Sequence, residues 1–202
     1  LAVAEWTDST LAWSPDSRWL VVPDKSAPNE TQSLMLLSIE TGEKRRLTSP
    51  PARQQADFGP AVSPDGRTLA FLRTPQDTVN DLYLLELSDD FAARGEPRRL
   101  TFDKRWIASP VWTPDGREIL FSSNRLTCCQ SLWRIKVSGS AGQPGEPQAR
   151  ASLGQGIGSV GISRHGPAGR PTSRLVYSQG FLDLNIWRIE VPGPEGVPKG
   201  AP

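Results

Sequence analysis

The sequence predicts an all-β repeat protein, and three observations carry that prediction. A short phrase recurs as Trp13-Ser14-Pro15-Asp16-Ser17-Arg18, Val62-Ser63-Pro64-Asp65-Gly66-Arg67 and Trp112-Thr113-Pro114-Asp115-Gly116-Arg117. A worn copy, Ile162-Ser163-Arg164-His165-Gly166, follows, so the hydroxyl residues Ser14, Ser63, Thr113 and Ser163 are 49, 50 and 50 residues apart. A fixed period of this length is the signature of a repeat architecture. Each phrase is followed by short apolar runs separated by turn residues, and no segment sustains a capped helical period.

The second copy shows what one repeat contains. Gly59-Pro60-Ala61-Val62 leads into the turn Ser63-Pro64-Asp65-Gly66, where Pro presets φ, Asp bonds its own backbone and Gly takes the left-handed position. Thr68–Leu72 reads as the next strand, Thr74–Thr78 as a loop, and Asp81–Leu87 as a third strand. Ser88–Glu96 reads as a loop before a last short strand at Arg98–Thr101. Four strands joined by hairpin connections match one blade of a β-propeller. The other copies supply second strands at 19–22, 118–121 and 174–177, and third strands at 34–39, 132–137 and 186–191. Fourth strands fall near 44–48 and 148–151. The blades are placed at about 10–49, 59–102, 108–152 and 158–191, with 192–202 as a Pro/Gly-rich tail or linker.

These residues resemble the TolB-type propeller repeat: Ser-Pro-Asp-Gly-Arg, a Leu-x-Phe strand, an apolar strand, then Arg-Arg-Leu-Thr. The resemblance runs from about Thr10 to Val191. The repeat is shared by periplasmic TolB proteins, by propellers joined to prolyl-oligopeptidase-type hydrolases, and by propellers appended to bacterial winged-helix regulators. Asn185-Ile186-Trp187-Arg188-Ile189 looks most like the last group. The resemblance implies a ring of roughly six or seven blades, of which this chain supplies about four. A blade buries its faces only against neighbouring blades, so further blades or domains of the same chain are expected. The alternative is that Leu1–Trp6 docks on the fourth blade and closes a small ring.

Composition excludes several classes. The formal net charge of +1 gives no global field for nucleic acid or an anionic membrane. No apolar run approaches the roughly 18 residues of a membrane span, so neither nucleic-acid contact nor membrane insertion is expected. Cys128 and Cys129 are adjacent and are the chain's only cysteines, so they read as loop or strand-end thiols.

A search for chemistry returns little. The single His165 stands where the other copies carry Asp16, Asp65 and Asp115, so it reads as a turn residue. Ile157-Gly158-Ser159-Val160-Gly161 has Ile where a nucleophile elbow needs its first Gly. Gly156–Gly161 spells a dinucleotide pattern, but a turn and strand follow where a helix is required, so it reads as an inter-blade loop. No His, Cys and carboxylate set has zinc spacing. The expectation is a non-enzyme without metal or cofactor.

Two faces remain. Arg18, Arg67 and Arg117, with Lys44, Arg45, Arg46, Arg98 and Arg99, are placed at the phrase end of each blade, a rim that reads as solvated charge or as an anion-attracting surface. The opposite face carries the inter-blade loops, where binding residues concentrate on a rigid scaffold. Its candidate partner-binding residues are Arg53, Asp57, Phe58, Lys104, Arg105, Trp106, Asn124 and Arg125, with aromatics beside cations as in interface anchors. The expected function is a scaffold that binds a protein or peptide partner through this face, as the sensory or interaction part of an envelope or regulatory protein. A periplasmic or otherwise extracytoplasmic place follows from the resemblance. The alternative is a propeller that gates a prolyl-oligopeptidase-type catalytic domain. Replacing Arg105 and Trp106 together by Ala is expected to leave folding intact and weaken partner binding.

Overall fold

The structure is a computed structural model. It describes residues 11–25, 27, 30–51, 56–76, 79–102, 105–125, 129–137, 145–150, 155–163 and 173–180. Every regular element among these is a strand, and the strands sort into blades in chain order. Blade one is β1 (Ala12–Trp13), β2 (Trp19–Asp24), β3 (Ser33–Ser38) and β4 (Lys44–Arg46). Blade two is β5 (Ala56–Val62), β6 (Thr68–Gln76), β7 (Val79–Leu87) and β8 (Ala93–Arg99). Blade three is β9 (Ile107–Trp112), β10 (Glu118–Ser123), β11 (Ser131–Lys136) and β12 (Gln148–Ala149). In blade four the described strands are β13 (Ile157–Ile162) and β14 (Leu175–Gln179). Within each blade, neighbours in sequence are antiparallel neighbours in space. The described strands thus form a partial propeller ring.

The period-2 pattern of the strands is what stacks the blades. Along β6, Leu69 and Phe71 face blade one, where they pack with Val21, Leu34 and Leu36. Ala70 and Leu72, between them, face blade three and join Ile119, Phe121, Trp133 and Ile135. Leu120 and Leu132 carry the pattern on to Ile157 and Val160 of blade four. Both faces of blade two are therefore buried, which is why its central strands read as nearly continuous apolar runs.

The repeated phrase is a turn closed by its own side chains. Ser63 Oγ donates to Asp65 Oδ1 (2.6 Å) and accepts from Thr68 N (2.9 Å), while Arg67 N donates to the same carboxylate oxygen (3.0 Å). The same three bonds recur at Ser14, Asp16 and Trp19 and at Thr113, Asp115 and Glu118. Ser163 keeps part of this closure, accepting from Arg174 N at 2.9 Å; His165 lies outside the described residues. Gly66 and Gly116 hold φ of 76° and 68°, and Ser17 is forced to φ 60° at the equivalent position. A Cβ in that region is strained, so Ser17→Gly is expected to stabilise the fold by about 0.5–1 kcal/mol after the greater unfolded-chain entropy of Gly is deducted. A rise in the urea midpoint at constant m-value is the measurement.

The hydroxyl bond, supported by the backbone amide bond, holds the Asp65 carboxyl below its ordinary 3.8 against the opposing effect of burial. Asp16 and Asp115 are lowered for the same first reason. A depressed folded pKa contributes stability that is complete above the unfolded pKa and is lost as pH falls through the folded value. Unfolding midpoints are therefore expected to drop as pH falls below about 4, and to drop less steeply in Asp65→Asn.

Several boundaries differ from the sequence reading. β6 runs to Gln76, into the stretch 74–78 read as a loop, and β7 starts at Val79 rather than at Asp81. β5 starts at Ala56 rather than at Gly59, and β13 occupies the stretch 157–162 read as a loop. Gly59-Pro60 in β5 and Gly158-Ser159 in β13 mark β-bulges, where the register shifts between Phe58 and Ala61 and between Ile157 and Val160. β8 starts at Ala93 inside the expected loop, because Leu87 and Glu86 continue the ladder to Ala93 and Arg94.

Candidate functional site

The loop face is built from the chain's repeated junctions. At each one a carboxamide residue just before or at the start of a third strand reaches the first strand of the next blade. Gln32 Nε2 donates to Asp57 O (3.2 Å), and Asp57 N donates to Gln32 O (2.9 Å). Asn80 does both with its side chain: Nδ2 donates to Ile107 O (2.9 Å) and Oδ1 accepts from Ile107 N (2.8 Å). At the next junction Ile157 N donates to Gln130 O (3.0 Å). The Gln130 carboxamide is satisfied at both ends when its nitrogen donates to Ile157 O (3.0 Å) and its oxygen accepts from Trp106 Nε1 (2.9 Å). These clasps fix where each inter-blade loop emerges.

The structure separates the sequence-predicted residues into three groups. Arg53 and Lys104 lie outside the described residues. Asp57 and Phe58 stand on β5 and point inward, with Asp57 0% exposed and Phe58 8%. Asp57 Oδ1 and Oδ2 accept from Arg73 Nε (2.6 Å) and a terminal guanidinium nitrogen (2.8 Å), and Phe58 packs in the core between blades two and three. Burial on a bulged strand, where a loop was expected, gives these two a structural job.

Arg105, Trp106, Asn124 and Arg125 do come together. Trp106 N donates to Asn124 Oδ1 (3.2 Å), and Ser123 Oγ donates to Trp106 O (2.7 Å). Arg125 lies 5.3 Å from the ring centres of both Phe121 and Trp133. Arg105 is exposed beside them.

Arg105 and Arg125 line a groove of about 540 Å³ between blades two and three, with Leu100, Phe102, Trp133 and Glu146. Phe102 was missed by the sequence reading and is 64% exposed. Its ring lies under the Arg99 guanidinium at 4.8 Å. Arg99 is held in turn by Asp81 and by the carbonyl of Thr101 at 2.8 Å. The signal that could have found Phe102 is its place directly after the Arg-Arg-Leu-Thr motif, where the chain leaves the last strand of the blade.

A second cavity, of about 350 Å³, lies among the first strands and is lined by Trp13, Pro60, Ser109, Trp112 and Val160. The phrase end is not a basic rim on blades one and two. Arg18 faces Glu40 (3.7 Å), Arg67 faces Asp89 (3.6 Å) and Arg45 faces Asp90 (3.7 Å). Arg46 and Arg99 sit where their strands run toward the other end, paired with Glu30 and Asp81. Among the described residues no set of three or more His, Cys, Asp and Glu could hold a metal ion. No helix among them is long and apolar enough to cross a membrane.

No family model matches the chain. It is 30% identical over 128 residues to an uncharacterized protein of Agrobacterium fabrum, covering 63% of this chain and 40% of that protein. It is 39% identical over 61 residues to YuxL, an uncharacterized peptidase of Bacillus subtilis, covering 30% of this chain and 8% of that protein. The chain thus spans less than half the length of either relative. Among solved structures it superposes on TolB from Acinetobacter baumannii with a TM-score of 0.59 and 20% identity, over 84% of this chain and 40% of that one. A TolB of Agrobacterium tumefaciens gives 0.63 and 24%, over 89% and 56%. A puromycin-hydrolyzing peptidase of Mycobacterium tuberculosis gives 0.51 and 18%, over 69% and 22%. With the recurring turn, the antiparallel blades and the inter-blade clasps, these superpositions establish the fold of the chain as a TolB-like β-propeller.

Proposed function

We propose that this chain is a non-enzymatic propeller scaffold that binds a protein or peptide partner through its loop face, as the interaction part of an extracytoplasmic envelope or regulatory protein. The observation that carries the proposal is the groove between blades two and three. An exposed aromatic ring and an exposed arginine flank a pocket whose floor is a buried tryptophan, the composition of an interface anchor. The likeness to TolB supports a scaffold role.

Trp106 does not make a clean test, because its backbone and indole help hold the junction. Phe102 and Arg105 do, since both are exposed. A photo-crosslinking amino acid at position 102, in the protein expressed in its native host, is expected to yield discrete protein adducts. The same group at Glu96, exposed within β8, is expected to yield none. Equal adducts from both positions, or none from 102, would refute the groove.

A second reading has one specific observation behind it, the 39% identity to a peptidase over 61 residues. On that reading the propeller gates a catalytic domain elsewhere in the same protein. A Gly-x-Ser-x-Gly hydrolase domain encoded in the same reading frame would support it.

A further inference from the structure

We infer that the cavity among the first strands is a binding site for a small, neutral aromatic molecule that carries one hydrogen-bond acceptor. The inference goes beyond the loop-face reading and does not rest on it. The cavity, of about 350 Å³, is bordered by Trp13 on β1, Pro60 on β5, Trp112 on β9 and Val160 on β13, so each blade contributes to it. Its volume falls in the range of small-molecule sites. Among the described residues that line it, none is charged. A charged ligand would lose its hydration there without meeting a counter-charge, so the occupant is neutral. Rings dominate the walls: the two tryptophans stand with Pro60, Pro64, Pro110 and Pro114. Rigid apolar faces of this kind suit a flat aromatic body.

One lining residue lacks the partner its chemistry requires. Ser109 is 5% exposed, and its hydroxyl makes no hydrogen bond to the described protein. Buried hydroxyls are ordinarily paired, and an unpaired one carries the cost of its lost hydration. Rotation about χ1 moves the oxygen among staggered positions, so an occupant of the cavity that offers an acceptor can receive its O–H. The Ser109 backbone is strained as well, with φ 49°. It belongs to a bulge that blades two and three share: Gly59-Pro60 leads to Ser63 as Ser109-Pro110 leads to Thr113. Gly59 holds φ 57°, a conformation that a residue without Cβ adopts readily. The fold alone would therefore accept glycine at position 109. A strained residue with an unpaired buried hydroxyl on a cavity wall is the pattern of a ligand clamp.

The test uses the 202-residue chain and three probes of similar shape. Acetophenone carries the acceptor, ethylbenzene lacks it, and benzoate is charged. Amide NMR titration is expected to show acetophenone shifting the Ser109 amide and the Trp112 indole N–H. In Ser109→Ala the ratio of acetophenone to ethylbenzene affinity should fall about three- to tenfold, the net worth of one hydrogen bond read from a cycle. The ethylbenzene affinity should not change. The urea midpoint of the free variant should not fall, because the unpaired hydroxyl does not hold the fold. Ser109→Gly should show the same loss with a raised midpoint, since the strain leaves with the Cβ. Trp13→Ala, at a residue 48% exposed, should weaken both neutral probes. Phe102→Ala, in the other cavity, should change neither. An affinity ratio that survives Ser109→Ala overturns the inference, and so does tighter binding of benzoate than of acetophenone. Loss of binding in Phe102→Ala, or no binding of acetophenone up to about 1 mM, overturns it too. Crosslinking from position 102 decides the loop-face reading separately.

Discussion

Asp57→Ala is expected to destabilise the protein by about 3–5 kcal/mol, because it strips the partner from a buried guanidinium. Arg73 is 6% exposed and Asp57 0%, and they are joined by two parallel bonds of 2.6 and 2.8 Å. The pair belongs to a ladder of alternating charge across blade two. Asp57 on β5 stands opposite Arg73 on β6, and Arg73 stands opposite Asp81 on β7. Asp81 is bonded to Arg99 on β8 and accepts from Thr101 Oγ1 at 3.1 Å. The Arg73 guanidinium also lies 5.3 Å from the Phe71 ring centre and 5.1 Å from that of Tyr83. Removing the carboxylate leaves the cation in that apolar setting with only Asp81 opposite, which is already engaged. Urea denaturation followed by tryptophan fluorescence should show a lowered midpoint with an unchanged m-value. The double replacement Asp57→Leu with Arg73→Met should recover most of the loss, since a buried pair replaced by apolar residues of similar volume is often neutral. A double variant no better than Asp57→Ala would mean that backbone rearrangement, and not the unpaired charge, sets the cost.

The same pair explains what could and could not be read from the sequence. The Ser-Pro-Asp-Gly turn was legible because its chemistry is local: every bond lies within five residues, from Ser63 to Thr68. The strands were legible because two buried faces leave a dense apolar pattern, as in Leu69–Leu72. Asp57 and Phe58 were misplaced because Gly59-Pro60 resembles a loop, while a bulge at Gly59, with φ 57°, lets the strand continue through it. Their partners are distant in sequence, and no local pattern announces Arg73 as the reason Asp57 is buried. In the candidate site the cluster of Arg105, Trp106, Asn124 and Arg125 was legible, because it follows from blade period and loop placement. Phe102 was not, because its exposure and its contact with Arg99 depend on how the chain leaves β8, which the residue types alone do not announce.

Asn80→Ala is expected to cost about 2–4 kcal/mol, the result of leaving both a backbone donor and a backbone acceptor of Ile107 without partners. Asn80 is 0% exposed, and its carboxamide makes the 2.9 and 2.8 Å bonds that tie blade two to blade three. The three junction residues Gln32, Asn80 and Gln130 recur at steps of 48 and 50, but they do not carry equal weight. At Gln32 and Gln130 the main-chain carbonyl accepts from the next blade, so truncating the side chain spares one link. At Asn80 the side chain supplies both links to Ile107. Gln32→Ala should therefore cost only about 0.5–1.5 kcal/mol, the net worth of a single ordinary hydrogen bond. Hydrogen exchange separates the local effect from the global one. In Asn80→Ala the Ile107 amide should lose protection by more than the drop in global stability accounts for, while Leu69 and Leu85 on the blade-one side should fall only with the global value. Equal costs for Asn80→Ala and Gln32→Ala would show that apolar packing between the blades, and not the carboxamide clasp, holds this junction. The loop that presents Arg105 and Trp106 emerges directly beside Ile107, so a loosened clasp should also weaken partner binding without touching a groove residue.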